Sequence, residues 1–115
     1  MYAKVVTFQI KPGERGEVIR LFHDFVVPEA RKQKGFKGGL LLTDPSSGKG
    51  TSIGIWETEG DIIASESSGY YKDWVSKLSA HFLGAPVRDI FEVSNLASLT
   101  FVSPQEIKSQ QGKAA

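Results

Sequence analysis

The stretch GFKGGLLLTDPSSGKGTSIGIWE, residues 35–57, decides the fold because it predicts two strands joined by a tight turn. The strands are predicted over residues 36–43 and 51–57, and the intervening DPSSGKG is rich in residue types that favour turns. Six glycines lie in this stretch. Because glycine weakens the interior of a strand, some other group is expected to approach this backbone closely.

Two explanations for these glycines follow from the alternation of the strands. Gly38 and Gly54 can form the floor of a cleft that holds a ligand, or Gly39 can allow two sheets to approach each other closely. The segment SSGKGTS also resembles a phosphate-binding loop, but that motif needs a glycine where Thr43 stands and a Ser or Thr after Lys49. The loop joins two strands and offers no helix N-terminus to an anion, so a plain turn is predicted.

The composition is that of a single globular domain. The chain has 115 residues, of which 40% are hydrophobic and 23% charged, with a formal net charge of +1. The basic residues are scattered, which argues against a nucleic-acid or membrane partner. No cysteine is present, so disulfides and thiolate chemistry are excluded. The opening MYAKVVTFQI predicts a strand and not a signal segment, and we expect a soluble, cytoplasmic protein.

The segments around this hairpin alternate between strand and helix patterns. Strands are predicted over residues 2–11 and 87–96, where β-branched and aromatic residues are frequent. An amphipathic helix is predicted over residues 14–34, with a kink caused by Pro28. After the hairpin, Thr58 is predicted to cap a short helix.

Two further boundaries follow from local sequence. Ser67 or Ser68 is predicted to cap the second helix of the pair that follows the hairpin. Beyond residue 96 the chain turns polar, so a domain over residues 1–96 is followed by an extension over residues 97–115. This extension is expected to form an arm or a short helix and to be partly disordered.

The order strand, helix, strand, strand, helix pair, strand predicts an α+β fold with the ferredoxin-like βαββαβ plan. Right-handed crossovers place the helices on one face of an antiparallel sheet. Val6, Phe8 and Ile10 are predicted to face those helices. The opposite face is then bare and apolar, and such faces usually mark an interface. A homodimer through the open sheet face is the predicted assembly.

Six segments occur in a fixed order along this chain: QIKPG, a long helix with an internal proline, GFKGGLLL, IWET, SSGYYKDWVSKL and IFEV. Their order resembles the antibiotic biosynthesis monooxygenase family of the dimeric α/β-barrel superfamily, over residues 2–96. The resemblance implies a dimeric α/β barrel. Members that act as monooxygenases use no metal or flavin, because the anion of a hydroquinone or anthrone itself reduces dioxygen. The resemblance therefore implies that no cofactor takes part.

A base is needed to ionise such a substrate, and histidine is suited to that role near neutral pH. His81 is the first choice and His23 the second. Neither has another histidine three or four residues away, and no acidic cluster has the spacing of metal ligands. No metal site is predicted.

The aromatic side chains carry the strongest signal for a binding site. Core packing is expected for most of them. Together they can also line a flat apolar cleft between sheet and helices, which would suit a planar aromatic ligand. Tyr70 would donate a hydrogen bond to a substrate oxygen. The predicted substrate-binding residues are Trp74, Tyr71, Tyr70, Trp56 and Phe22.

Two alternatives to an oxygenase remain open, because a fold does not determine a function. The first is a non-catalytic dimeric module that binds a small ligand or has a structural role. The second is a haem-binding or haem-degrading protein. In that branch of the superfamily an Asn on the first strand and a His on the second long helix are used. Val6 and Val75 stand at about these positions, so haem cleavage is disfavoured.

Overall fold

The computed structural model describes residues 1–97, which form one four-stranded antiparallel sheet with helices packed on one face. The strands lie in the order β2-β3-β1-β4. Because β2 and β4 are edge strands, the sheet of the described residues is open. The ferredoxin-like α+β plan predicted from the element order is confirmed. The strands are β1 (Tyr2–Gln9), β2 (Phe36–Thr43), β3 (Lys49–Trp56) and β4 (Val87–Glu92).

Two helical connections cross the sheet on the same side. The first contains α1 (Arg15–Leu21), a π-helical segment (Phe22–Val26) and α2 (Val27–Arg31). The second contains α3 (Glu59–Ser67), α4 (Tyr70–Leu78) and a 3₁₀ turn (Ser79–His81). No helix within residues 1–97 has the length and apolarity needed to cross a bilayer.

The first long helix changes its winding just before Pro28, where the kink was predicted. Proline has no N–H and its ring collides with the carbonyl four residues earlier, which π-helical winding relieves. The buried stripe follows the altered winding and consists of Val18, Phe22, Val26 and Ala30. The helix ends at Arg31, three residues earlier than the sequence pattern predicted.

A β-bulge in β2 overturns the predicted placement of two glycines. Phe36 pairs with Trp56 and Gly38 with Ile55, so Lys37 is an extra residue in β2. An extra residue moves every later side chain to the opposite face. Gly39 therefore faces the helices and Gly38 the open face, the reverse of the prediction that put Gly38 in the cleft and Gly39 between sheets.

The ends of several elements differ from the predictions. β1 ends at Gln9, because Ile10 forms only an isolated bridge with Phe82, and β4 ends at Glu92 instead of residue 96. The predicted cap of α3 is confirmed, since the Thr58 hydroxyl accepts a hydrogen bond from the backbone N–H of Asp61 at 3.0 Å.

The predicted serine cap of α4 is wrong. Gly69 occupies the N-cap position before Tyr70, with φ +94°, a backbone conformation that glycine adopts without strain. The Ser68 hydroxyl instead donates to the carbonyl of Ser65 at 2.7 Å. The extension predicted over residues 97–115, as an arm or short helix, lies outside the described residues except for residue 97.

Candidate functional site

An aromatic cluster fills the space between the sheet and the two helical connections. The Phe8 ring stacks on Phe82 with centroids 4.5 Å apart and on Phe22 with centroids 6.0 Å apart. The Trp74 ring centroid lies 5.4 Å from that of Phe22 and 5.2 Å from that of Tyr71, and the Trp74–Tyr71 pair is T-shaped. These pairs have the offset and edge geometries that aromatic rings prefer. The region where the cleft was predicted is thus packed with the protein's own rings.

Three of the five residues predicted to bind substrate lie in this cluster: Phe22, Tyr71 and Trp74. Phe22 and Trp74 are buried, at 4% and 3% exposure, whereas Tyr71 is partly exposed. Trp56 lies outside the cluster and packs edge-on against Phe36, with centroids 5.3 Å apart. The structure thus brings three of these aromatics together and separates Trp56 from them.

Tyr70 packs against the core from the start of α4, beside a hollow of about 140 Å³ lined by Phe25, Glu29, Gln33, Ser68, Tyr70 and Asp73. Its hydroxyl donates to the carbonyl of Val26 at 3.2 Å, and burial raises the pKa of this phenol. Because sites for small organic ligands usually enclose about 300–1,000 Å³, this hollow is too small for a planar polycyclic substrate.

The strand glycines make room for the protein's own aromatic rings. A Cβ on Gly50 would lie 2.2 Å from a ring carbon of Phe8, and one on Gly54 would lie 3.0 Å from the indole nitrogen of Trp56. Real Cβ atoms do not approach other heavy atoms as closely as the first of these distances. The bare backbone of β3 therefore accommodates internal side chains.

His81 is held by a carboxylate from the start of the first helix. Its Nδ1 lies 2.9 Å from Oε1 of Glu14, although the two residues are 67 positions apart. The His81 side chain is 21% exposed. When Nδ1–H donates to Glu14, Nε2 is the free acceptor, so this pairing selects the tautomer that a general base needs.

His23 points into solvent, with 88% of its side chain exposed. Its Nδ1 lies 3.0 Å from Oδ1 of the neighbouring Asp24. It lies on the outer side of the π-helical segment, away from the aromatic cluster. The structure therefore does not bring the two histidines to one site.

A charged cluster around one buried lysine was missed by the sequence reasoning. Lys4 of β1 is only 6% exposed, and its Nζ lies 2.9 Å from Oε2 of Glu66 in α3. Arg88 of β4 donates to both oxygens of the same carboxylate. The Tyr71 ring covers Nζ, which is 3.5 Å from the ring centroid. The alternation that put Val6 on the helix-facing side of β1 also puts Lys4 there, and that was the available signal.

The turn between β2 and β3 is held by hydrogen bonds among its own residues. The Asp44 carboxylate accepts hydrogen bonds from the backbone N–H and the hydroxyl of Ser46, at 2.9 and 2.8 Å. These bonds lower the pKa of Asp44 to about 2. An acidic group already occupies the donors that an anion would need. Among residues 1–97 no group of three His, Asp or Glu side chains is placed to hold a metal ion.

Solved structures share this fold at low sequence identity. The monooxygenase ActVA-Orf6 of Streptomyces coelicolor, in complex with the ligand nanaomycin D, is 16% identical, with a TM-score of 0.72 over 86% of this chain and 92% of that chain. SnoaB, a cofactor-independent oxygenase from Streptomyces nogalater solved as a mutant, is 14% identical, with a TM-score of 0.70 over 83% of this chain and 94% of its own. Rv0793 from Mycobacterium tuberculosis is 14% identical, with a TM-score of 0.68 over 84% and 98%.

At these identities the structural likeness establishes the fold and not the activity. No protein with a curated description matches the sequence. The family model for antibiotic biosynthesis monooxygenase matches residues 1–77, which include the first three strands and most of the aromatic cluster. Since that model covers more than half of the 115 residues, on the fold that its structural relatives share, this chain belongs to the antibiotic biosynthesis monooxygenase family.

Proposed function

We propose that this protein is a cofactor-independent monooxygenase that oxidises a planar, electron-rich aromatic of the hydroquinone or anthrone type with dioxygen. The observation that carries the proposal is the family match over residues 1–77. Two structural relatives, a monooxygenase and a cofactor-independent oxygenase, agree with it. The substrate would lie against the partly exposed Tyr71 and the Trp74 ring beneath it.

In this mechanism His81 is the base, oriented by Glu14. Nε2 takes a proton from the substrate, for example from the methylene of an anthrone. The carbanion passes one electron to dioxygen, and the two radicals combine to form a C–O bond. His81 returns its proton to the peroxide, the O–O bond breaks, and water leaves as the carbonyl forms. One CH₂ and one O₂ thus give one C=O and one H₂O.

Oxygen uptake tests this proposal directly. Metal-free protein is mixed with a panel of hydroquinones and anthrones, with boiled protein as the control for autoxidation. His81→Ala is expected to lower the rate by about 100-fold, the low end of the range for loss of a general base. His23→Ala is the matched control, because that histidine is exposed and apart from the cluster, and its rate is expected to equal that of the wild type.

The outcomes separate the base from the activity. Equal rates in the wild type and His81→Ala, both above boiled protein, would keep the oxygenase and reject His81 as its base. Rates no higher than boiled protein across the panel would count against the oxygenase. They would favour the second candidate, a non-catalytic binding module, which the closed packing around Trp74 supports.

We also propose that the open sheet face pairs with a second copy of this chain. Cross-strand partners share a face, so Leu40 is aligned with Ile53 and Val5, and Ala3 with Phe91. The large apolar side chains about half exposed on this face are Leu40, Leu42, Val87 and Phe91. Two such faces packed together would remove these side chains from water and would give the dimeric barrel that the family resemblance implies.

Substitution on this face is expected to disrupt the dimer. Light scattering at micromolar concentration should give a dimer for the wild type, and Leu40→Asp should weaken association by at least about 100-fold because it buries a carboxylate. Ile63→Asp is the matched control, since Ile63 is similarly exposed but lies on α3 in the helical layer. A wild type that stays monomeric, or equal dissociation of both variants, would contradict the assembly.

A further inference from the structure

An acidic residue interrupts the apolar part of the open sheet face, on the edge strand β4. Cross-strand partners share a face, and the row that crosses the sheet here consists of Leu40, Ile53, Val5 and Asp89. Three members of this row are apolar and the fourth is a carboxylate. The neighbours of Asp89 on the same face of β4 are Val87 and Phe91, which are 57% and 55% exposed. The carboxylate therefore lies between apolar side chains that water still reaches.

No cation of the described chain compensates this charge. The Asp89 carboxylate forms no ion pair with any residue that the structure describes. Arg88, which precedes it in β4, points to the helical side of the sheet and donates to both oxygens of Glu66. Lys37, in the bulge of β2, lies with its Nζ 3.1 Å from Oε2 of Glu57. Each of these two cations thus has a carboxylate of its own.

Two further groups that carry charge lie towards the ends of this face. Lys49 is aligned with Gln9, four residues along β1 from Val5, and the amine of Met1 lies four residues from Val5 in the other direction. Because a strand rises about 3.3 Å per residue, each lies about 13 Å along the strands from the row of Asp89. Both histidines belong to the helical connections, on the other side of the sheet. The row of Asp89 therefore contains a single charge.

Pairing of two open faces would remove this carboxylate from water. Val87 and Phe91 are among the side chains that the proposed dimer buries, and Asp89 stands between them in β4. A carboxylate that loses its hydration without gaining a partner is disfavoured relative to the neutral acid. The second copy offers the same row, in which the charged member is again a carboxylate. Inward-pointing charges on edge strands are one means by which proteins limit the pairing of sheets.

We infer that Asp89 limits the self-association of the open sheet face and that protonation of its carboxyl strengthens the dimer. In the free chain this carboxyl is exposed and ionised at neutral pH, whereas the dimer favours its neutral form. Association therefore takes up protons, so the dimer is most stable at low pH and weakens as the pH rises. The inference rests on the assembly proposed above, because it names the residue that controls it, and it does not depend on the oxygenase activity.

Sedimentation equilibrium of the full chain tests this inference at about pH 7.5 and about pH 5.5. Asp89→Asn keeps nearly the shape of the side chain and removes its charge. At the higher pH this variant is expected to associate about 10- to 100-fold more tightly than the wild type, because an unpartnered charge costs more to bury than an amide. Since each dimer has two such carboxyls, the wild type should tighten by at least about 10-fold on acidification and Asp89→Asn by less than about threefold.

The matched control is Asp73→Asn. Asp73 is also exposed, but it lies on α4 in the helical layer, so this variant should associate as the wild type does at both pH values. Equal or weaker association of Asp89→Asn at the higher pH would overturn the inference, because the carboxylate would then have a partner in the dimer, such as Lys49 or Thr7 of the second copy. A wild-type dimer whose dissociation constant is the same at both pH values would also overturn it.

The same measurement separates this inference from the assembly and from the activity. A wild type that is monomeric at the higher pH and dimeric at the lower one, with a dimeric Asp89→Asn at both, would support the inference in its strongest form. Monomers of every variant at both pH values would overturn the inference together with the assembly. Oxygen uptake is measured independently, so failure of the oxygenase proposal would leave this result unaffected.

Discussion

Trp74→Ala is expected to lower the free energy of unfolding by about 3–5 kcal/mol, the range for truncation of a large buried aromatic. The indole is 3% exposed and packs against Phe22 and Tyr71. Its loss leaves a cavity between the first helical connection and α4 that rigid neighbours can fill only in part. Because small domains are stable by only about 5–15 kcal/mol, the variant should be close to unfolding.

Urea titration followed by helical circular dichroism measures this loss and avoids the altered fluorescence of the variant. Asp73→Ala is the control, because this exposed neighbour on α4 should change stability by about 0.5 kcal/mol or less. Both proteins are compared at one concentration, since dimerisation would make the midpoint depend on it. A loss below about 1 kcal/mol for Trp74→Ala would show that the ring is not a packed core residue.

The result also bears on the proposed site. Trp74 was predicted as a substrate-binding residue, and the structure places it beneath Tyr71 within the packed cluster. If the ring both supports the core and faces the substrate, Trp74→Phe should retain most of the stability and still change the KM for an aromatic substrate. A pure core residue would alter stability alone. Measuring both quantities on the same variant separates these roles.

Gly50→Val is expected to destabilise the fold by about 3 kcal/mol, at the upper end of the cost of overpacking a core. A Cβ at this position would lie 2.2 Å from a ring carbon of Phe8. That ring cannot move aside freely, because it is stacked on Phe82 with centroids 4.5 Å apart. Valine has a high intrinsic preference for strands, so any loss reflects the collision and not the backbone.

Gly16→Ala provides the opposite expectation on the same kind of change. Gly16 lies in α1, and a Cβ there would meet no atom within 4 Å. Alanine should therefore raise stability by about 0.4–1 kcal/mol, by restricting the unfolded chain.

Phe8→Leu combined with Gly50→Val should recover part of the stability lost in Gly50→Val, as expected for two residues in contact. Equal stability of wild type and Gly50→Val would contradict the close packing of Phe8 over β3.

The glycines of residues 35–57 show what sequence reasoning could and could not resolve. Their number indicated that something lies close to the strands, and that expectation was sound. The groups that lie there are the rings of Phe8 on β1 and Trp56 on β3. The alternation of residues along a strand does not show which ring packs over which glycine. The bulge at Lys37 then exchanged the faces of Gly38 and Gly39. A single unpaired residue inverts all later positions of a strand, and no local signal marked it.

Sequence reasoning likewise identified only part of the candidate site. His81 was the first choice of base on the ground of its residue type. Its partner Glu14 was not identified, because the two residues meet only when the 3₁₀ turn packs against the start of α1. Lys4 was passed over for the same reason. A lysine on a buried strand face has meaning only once Glu66 and Arg88 are known to surround it.

The sequence by itself determined the element order, the antiparallel ferredoxin-like plan and the helix-facing side of β1. These follow from hydrophobic periodicity, turn residues and the handedness of crossovers, all of which act over short stretches of chain. Only the tertiary structure decided that aromatic rings fill the predicted cleft, that Glu14 holds His81, and that a buried lysine shares one carboxylate with Arg88. Those features depend on side chains far apart in the chain, whose meeting is set by packing and strand register.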